Sequence, residues 1–237
     1  MAPLNAEEAK VSAAIRRTLE VLEPNPNATV ELRVLKALVN GWPRTMSGYF
    51  NNRDCMVAQA MRYNGKAAGV YVTLNEIHPS LLARSANKMR VASDDDLTKD
   101  HEVIRRVWFP VDFDPKRCKG ISSTDEEREP AFDCLTRCSD WLEEQGWPEP
   151  IVADSGNGYH LLYRIDLPND DASKQLLKDS LASLASRFNS QYVEIDTGTF
   201  NASRIWKLYG TLVCKGDNLP ERPHRVASLM HVPEVIQ

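Results

Sequence analysis

Between Val107 and Phe113 the chain runs Val-Trp-Phe-Pro-Val-Asp-Phe, and Asp114 and Pro115 close the run. Apolar residues this dense, following a polar stretch, predict a strand packed on the core. Side chains alternate across a strand, so Asp112 and Asp114 share one face while Phe113 turns to the other. Two like charges at that spacing repel, and leaving them unpaired beside a core is costly. A divalent cation resolves the conflict, since Mg²⁺ is held by one or two carboxylates together with substrate phosphates. The plain alternative is a solvated strand end running into the turn at Pro115.

The rest of the chain must supply what packs around that strand. Val11, Ile15, Leu19 and Leu22 recur at helical spacing, with Asn5 as a cap and Pro24 to Pro26 as a stop. Short β-like runs follow near Val30–Leu38 and Thr45–Phe50, then a helix-like stretch from Arg53 to Tyr63. Gly69 to Leu74 reads as a strand, and a polar stretch from Ala92 to His101 leads to the apolar run. Next comes a helix with Phe132, Leu135, Trp141 and Leu142 on one face, entered by Ser123 and Glu126 in capping-box spacing and ended at Gly146. Ile151–Ala153 and Tyr159–Ile165 read as strands joined by Asp154-Ser-Gly-Asn-Gly158. A second long helix carries Leu177, Leu181, Leu184 and Phe188 before a strand at Tyr192–Asp196. Strands at Ile205–Tyr209 and Arg225–Met230 close the chain. Hairpins mixed with crossover helices predict an α+β (mixed α/β) fold and not a doubly wound parallel domain.

At 237 residues, with 42% hydrophobic and 26% charged, the chain fits one large domain or two packed halves. No segment approaches the roughly 18 to 20 apolar residues of a membrane helix, and the N-terminus lacks the order of a signal peptide, so a cytoplasmic protein is expected. The five cysteines include Cys134 and Cys138, four apart in a helix, and Cys118 upstream. Nothing nearby completes a four-ligand zinc site, so reduced, partly buried thiols are expected and zinc is not. The net charge of −4 hides segregation: Arg204, Lys207, Lys215, Arg222 and Arg225 face only Asp217 and Glu221 between Asn201 and Ser228. That permits nucleic-acid binding without demonstrating it.

Two further motifs carry chemistry. In Ser155-Gly-Asn157-Gly-Tyr-His160, two glycines let backbone N–H groups approach a ligand and form an anion-binding concavity, and His160 can donate to a phosphate oxygen. A plain Asn-Gly hairpin turn is the alternative. In Val193-Glu-Ile-Asp196, the acid ends an apolar strand as Asp112 does, and so can be a third oxygen ligand. Asn201-Ala-Ser-Arg204-Ile-Trp-Lys207 follows, with two cations suited to a polyphosphate: Arg204 by bidentate contact, Lys207 as a point charge. A solvated charged face is their alternative. Trp206 and Leu208 read as core.

In this order, Asp-x-Asp, Ser-Gly-x-Gly-x-His and a strand-end Asp with Asn-x-x-Arg-x-x-Lys, the chain resembles the archaeo-eukaryotic primase superfamily. It is most similar to the primase-polymerases of plasmids, phages and bacterial genomes. Gly158-Tyr-His-Leu-Leu-Tyr-Arg-Ile-Asp166, Arg204-Ile-Trp-Lys-Leu-Tyr-Gly-Thr211, Gly48-Tyr-Phe50 and Val70-Tyr-Val-Thr-Leu74 extend the likeness over all but the first thirty or so residues. The resemblance implies an RRM-like catalytic sheet (residues 101–237) packed against an N-terminal α/β half (1–100), together one domain. It implies that Asp112, Asp114 and Asp196 hold two divalent ions, Mg²⁺ or Mn²⁺. Ser155, Gly156, Asn157, Gly158, His160, Asn201, Arg204 and Lys207 are the implied nucleotide contacts. The implied activity is template-dependent nucleotidyl transfer from NTP or dNTP, making or extending primers on single-stranded DNA. Its implied partners are template strand, primer strand and nucleotide, with no membrane.

Three alternatives stand beside it. A repair-type polymerase of the same superfamily extends ends without priming. A metal-dependent nuclease uses the same acids without a nucleoside triphosphate, and a non-catalytic nucleic-acid-binding module keeps only the surface. No Gly-x-x-x-x-Gly-Lys-Ser/Thr loop is present, so a helicase activity would belong to a further module of a longer replication or defence protein.

Overall fold

The computed structural model describes residues 5–236, so the ends of the two expected halves, 1–4 and 237, lie outside the described residues. Helix α1 (Ala6–Leu22) starts at a capping box in which Asn5 and Glu8 satisfy each other's backbone N–H groups at 2.9 and 3.0 Å. Strands β1 (Val30–Val39) and β2 (Trp42–Phe50) form a hairpin. Its turn residues Asn40 and Gly41 both have positive φ, 51° and 80°, as a type I′ turn requires. Helix α2 (Arg53–Tyr63), strand β3 (Gly69–Thr73) and the short β4 (Glu76–Ile77) and β5 (Arg90–Val91) complete the first part.

Strand β6 (Val103–Pro115) is the apolar run, extended at both ends. It is followed by α3 (Asp125–Glu144), β7 (Ile151–Asp154), β8 (Tyr159–Pro168) and α4 (Asp171–Phe188). Short strands finish the chain: β9 (Val193–Ile195), β10 (Ile205–Lys207), β11 (Leu212–Val213), β12 (Arg225–Val226) and β13 (Ser228–His231). One antiparallel sheet has the order β10-β3-β1-β2-β5; the other runs β13-β7-β8-β6-β4, with β9 also paired to β6. The fold is therefore α+β, as expected. The two sheets exchange strands: β4 leaves the first part for the second sheet, and β10 returns from the second part to pair with β3.

The alternation along β6 assigns its faces. Phe109, Val111 and Phe113 enter a core closed by α3 and α4. Trp108 faces the other way, into the core shared with α1, α2 and the first sheet. Asp112 and Asp114 have the parity of Trp108, which directs them into the seam between the sheets. Asn75 fixes the crossing: its amide donates to the Ala202 carbonyl at 2.9 Å, and its oxygen accepts from the Val107 N–H at 2.9 Å. Among the described residues no helix is long and apolar enough to cross a membrane.

Three local expectations are corrected. The capping box of α3 is Thr124 with Glu127, one residue later than Ser123 with Glu126. Ser123 is buried instead, its hydroxyl donating to the Asn157 carbonyl at 2.7 Å. Phe132 is 39% exposed, edge-on to Tyr159 and outside the core. The last expected strand is split into β12 and β13 because Ala227 turns aside to exchange backbone hydrogen bonds with Gly210 and Thr211.

Candidate active site

Asp112 sits in the middle of a cross-strand row. His160 on β8 is its directly paired neighbour on one side. On the other, its carbonyl accepts the Asp196 N–H at 3.0 Å, and the β6–β9 register sets Asp196 opposite it and Glu194 opposite Asp114. Directly paired residues point to the same face, so strand pairing alone gathers His160, Asp112, Asp114, Asp196 and Glu194 on the seam side. The chain uses this placement unevenly. The Asp196 carboxylate turns back to accept the Gly198 N–H at 2.8 Å. Among the described residues, no three His, Cys, Asp or Glu side chains stand close enough to hold a metal ion. Asp112, Asp114 and Asp196 are thus aligned on one face without being closed into a cage.

The cations arrive from elsewhere in the chain. Lys207, directly paired with Tyr71 across β10 and β3, donates from Nζ to the Tyr71 hydroxyl at 2.7 Å. Burial pulls its pKa down to about 8 against the opposing pull of Asp112 and Asp114. Lys215, beyond β11, acts on both carboxylates, and Arg117 lies 3.6 Å from Asp114 Oδ1. Burial alone would raise the Asp112 carboxyl, but His160, Lys215 and Lys207 reverse the sign and hold it below the ordinary aspartate value. Asp114 goes the other way, raised by burial and by the neighbouring Asp112. Beside Asp114 opens a cavity of about 450 Å³ walled by Lys116, Arg117, Lys119, Glu194 and Lys215.

His160 is held from behind. Its Nδ1 lies 2.8 Å from the Tyr209 hydroxyl, which also accepts from Trp206 Nε1 at 2.8 Å, and the Trp206 ring packs against it tilted by 41°, with centroids 4.2 Å apart. Its Nε2 stands 3.4 Å from Asp112 Oδ1. That separation is ion-pair range without hydrogen-bond geometry, and Oδ1 is buried with no hydrogen-bond partner. A buried, unpartnered carboxylate oxygen beside a second acid suits a hard divalent cation, which needs only one or two protein carboxylates when substrate supplies other oxygens.

In the glycine-rich turn, expected to form an anion cradle, two backbone N–H groups already have partners within the turn. The Gly156 N–H is taken by Asp154 Oδ1 at 2.6 Å and the Gly158 N–H by Ser155 Oγ at 2.9 Å. Asn157 is buried against Ser123, its oxygen accepting that residue's N–H at 2.9 Å. Gly156 (φ 86°) is needed for the turn, and a Cβ there would lie 2.9 Å from Val213 Cγ2. A Cβ on Gly158 would overlap the Phe113 carbonyl oxygen. The glycines give room to neighbouring backbone, and the turn braces the start of β8, where His160 emerges.

Arg204 and Lys207 do not act as a pair. Three residues apart along a strand they take opposite faces. Lys207 bonds the Tyr71 hydroxyl and feels the carboxylates through space, without an ion pair, whereas the Arg204 guanidinium donates to the Gly198 carbonyl beside Asp196 and its backbone N–H donates to the Asn201 carbonyl. Tyr71, Tyr209 and Arg117 were missed in the sequence. Tyr71 carried one signal: it breaks the apolar alternation of Val70 and Val72, which face the core. Cys134 and Cys138 are buried among the α3–α4 core residues, and burial pushes the Cys138 thiol up to about 12.

A scan against protein-family models finds no match, and a search of curated proteins finds no relative. Among solved structures, the chain is similar to the crystal structure of primase RepB′, with a TM-score of 0.48 and 14% identity over 93% of this chain and 56% of that one. The chain thus spans little more than half the length of that protein.

Proposed function

We propose that this chain is a metal-dependent nucleotidyltransferase of the primase-polymerase kind, making or extending primers on single-stranded DNA from NTP or dNTP. The observation that carries the reading is the convergence of Asp112 and Asp114 with His160, Lys207 and Lys215 in one seam, from three strands and a loop. A hydrolase needs an acid and a base; this constellation instead offers paired oxygen ligands facing several cations, the complement of a metal-bound polyphosphate.

Asp112 and Asp114 are the residues that would hold Mg²⁺ or Mn²⁺, with Asp196 recruited from the same face by releasing Gly198. Held there, such ions would supply activation of a 3′-hydroxyl and charge stabilisation for leaving pyrophosphate. Lys207 and Lys215 would neutralise phosphate charge beside the acids. His160 offers its Nε2–H to a phosphate oxygen, while Ser155, Gly156, Asn157 and Gly158 hold the strand end that carries it. Arg204 and Asn201 serve the Asp196 side. Template pairing sets base identity, so little sequence need be read by side chains.

The test supplies single-stranded template, NTPs or dNTPs, and Mg²⁺ or Mn²⁺ to the wild type and to Asp112→Ala/Asp114→Ala. Product from the wild type alone supports the reading. Equal synthesis by both proteins, or none from either with any metal, overturns it. Comparing an unprimed circular template with a hairpin primer separates priming from repair-type extension.

A further inference from the structure

The two most exposed large apolar side chains among the described residues lie at one hairpin tip, away from the carboxylates. Leu38 is 71% exposed and Trp42 69%. They flank the Asn40-Gly41 turn at the tip of the β1–β2 hairpin, in the paired rows Leu38↔Pro43 and Val39↔Trp42. A register shift just before the tip leaves Lys36 in the left-handed region (φ 56°), a strain that a bulge imposes on a non-glycine residue. Under the tip lies a cavity of about 450 Å³ lined by Leu38, Val39, Met46, Arg62, Tyr63 and Lys66.

The charge here is opposite to that of the chain. Between Val30 and Val70 stand Arg33, Lys36, Arg44, Arg53, Arg62 and Lys66 against only Glu31 and Asp54, in a protein of net charge −4. Arg33 is held by buried Glu31, Arg53 by the Glu23 and Asn25 carbonyls, and Asp54 by Arg16. Lys36, Arg44, Arg62 and Lys66 are all exposed, and among the described residues none has a carboxylate partner.

We propose that this hairpin tip is a binding surface for single-stranded nucleic acid, with a base stacked on Trp42 and phosphates on Arg44, Arg62, Lys66 and Lys36. An exposed aromatic face among unpaired cations is the combination such strands take, because every base has a π-face and every linkage a charge. Two exposed apolar side chains are far too little for a stable protein interface, which buries on the order of 1,200 Å² or more. The tip is also a rigid hairpin, not an amphipathic helix with a wide apolar face for a membrane. Trp42 lies five residues along β2 from Ser47, which is paired with Arg33 and through it with Tyr71 and Lys207. At about 3.3 Å per residue, the tip stands about 17 Å along the sheet from the row that begins at the carboxylates. The surface therefore acts apart from the chemistry and is expected to bind without nucleotide or metal.

The experiment measures anisotropy of a fluorescein-labelled oligothymidylate in EDTA over a salt series. Trp42→Ala is expected to weaken binding about tenfold, as removing one stacked base does. Arg44→Ala/Arg62→Ala/Lys66→Ala is expected to flatten the slope of log K against log salt by about 2, roughly 0.7 for each phosphate that is no longer neutralised. The binding assay contains neither nucleotide nor metal, so a failed polymerase assay leaves this proposal standing and failed binding leaves the polymerase reading standing. All four substituted residues are exposed, and unchanged melting temperatures exclude misfolding as a cause. Unchanged affinity and slope in both hairpin variants, or no oligonucleotide binding by the wild type, overturns the proposal. So does self-association abolished by Trp42→Ala, or preference for anionic vesicles over the oligonucleotide.

Discussion

At the scale of single residues, the proton on His160 is placed by its neighbours. Trp206 Nε1–H can only donate, so it takes a lone pair of the Tyr209 hydroxyl, and the one remaining partner for the phenolic proton is His160 Nδ1. In the neutral imidazole the proton then sits on Nε2, facing Asp112, an assignment that follows from the hydrogen-bond network. Tyr209→Phe strips that control and leaves two buried nitrogens unpaired. A loss of about 2 kcal/mol in chemical denaturation is expected, with mixed tautomers in imidazole ¹⁵N spectra and slower synthesis; an unchanged tautomer refutes the relay. The two acids should separate in a second measurement. Asp114 has its folded carboxyl raised by burial and by Asp112. Between the ordinary aspartate value and that raised value the folded state holds a proton the unfolded state has lost. Stability therefore falls as pH rises through this window, and the penalty is in full force above it. In EDTA above that window, Asp114→Asn is expected to stabilise by the order of 1 kcal/mol, about 3 °C in Tm, while abolishing synthesis. Below about pH 4, where the unfolded carboxyl is protonated too, the gain should vanish. Asp112→Asn should destabilise, since it leaves Lys207 buried without its nearest counter-charge.

At the scale of elements, the first sheet is fastened through one buried acid. Glu31 on β1 accepts Arg33 at 2.8 and 2.7 Å, the Ser47 hydroxyl of β2 at 2.7 Å and the Thr98 N–H at 3.2 Å. Burial opposes its charge, but Arg33, Thr98 and Ser47 bring its carboxyl below the ordinary glutamate value. Its contribution is present above the unfolded value near 4.5 and is lost as pH falls through the folded one. Glu31→Gln is expected to cost about 3 kcal/mol at pH 7, with the gap to wild type closing in acid; a constant gap would deny the ionic character. This anchoring of the 92–101 stretch was invisible in the sequence, where the stretch read only as polar. Elements with strong periodicity were legible: α2 runs from Arg53 to Tyr63 as its pattern predicted, and the β6 alternation told which way Asp112 and Asp114 point. What failed were features decided by distant partners. Ser123 and Thr124 both offer a cap, and only Asn157 decides that Ser123 is needed elsewhere. At the β7–β8 turn, the close approach of the Phe113 carbonyl and Val213 to the two glycines could not be placed from spacing. Gly158→Ala should accordingly unfold or badly weaken the protein with no nucleotide present, whereas Gly120→Ala, with nothing within 4 Å of its Cβ position and only a positive φ (84°) to oppose it, should cost about 1 kcal/mol.

At the scale of the whole molecule, the site exists only because the two sheets share chain. Lys207 comes within electrostatic range of Asp112 because β10, following the Asp196 turn, crosses back to pair with β3. In return β4 leaves the first part to pair with β6. The core joining them draws Ile15 and Leu19 from α1, Leu32 from β1, Val72 from β3, Trp108 from β6, Leu162 from β8 and Trp206 from β10. The Trp108 indole donates to the Leu22 carbonyl at 3.0 Å and ties β6 to the end of α1. No cut near residue 100 separates these groups without exposing large apolar side chains on both pieces. One cooperative unfolding transition is therefore expected in calorimetry, with calorimetric and van't Hoff enthalpies equal and near roughly 0.7 kcal/mol per residue. Fragments 1–100 and 101–237, expressed apart, should each lack sharp side-chain NMR signals. Two resolved transitions, or a folded 101–237 fragment that still binds Mn²⁺ through Asp112 and Asp114, would show that the second sheet carries the site alone. In that event Lys207 would be an accessory to the chemistry, because its strand would have lost the partner that aims it.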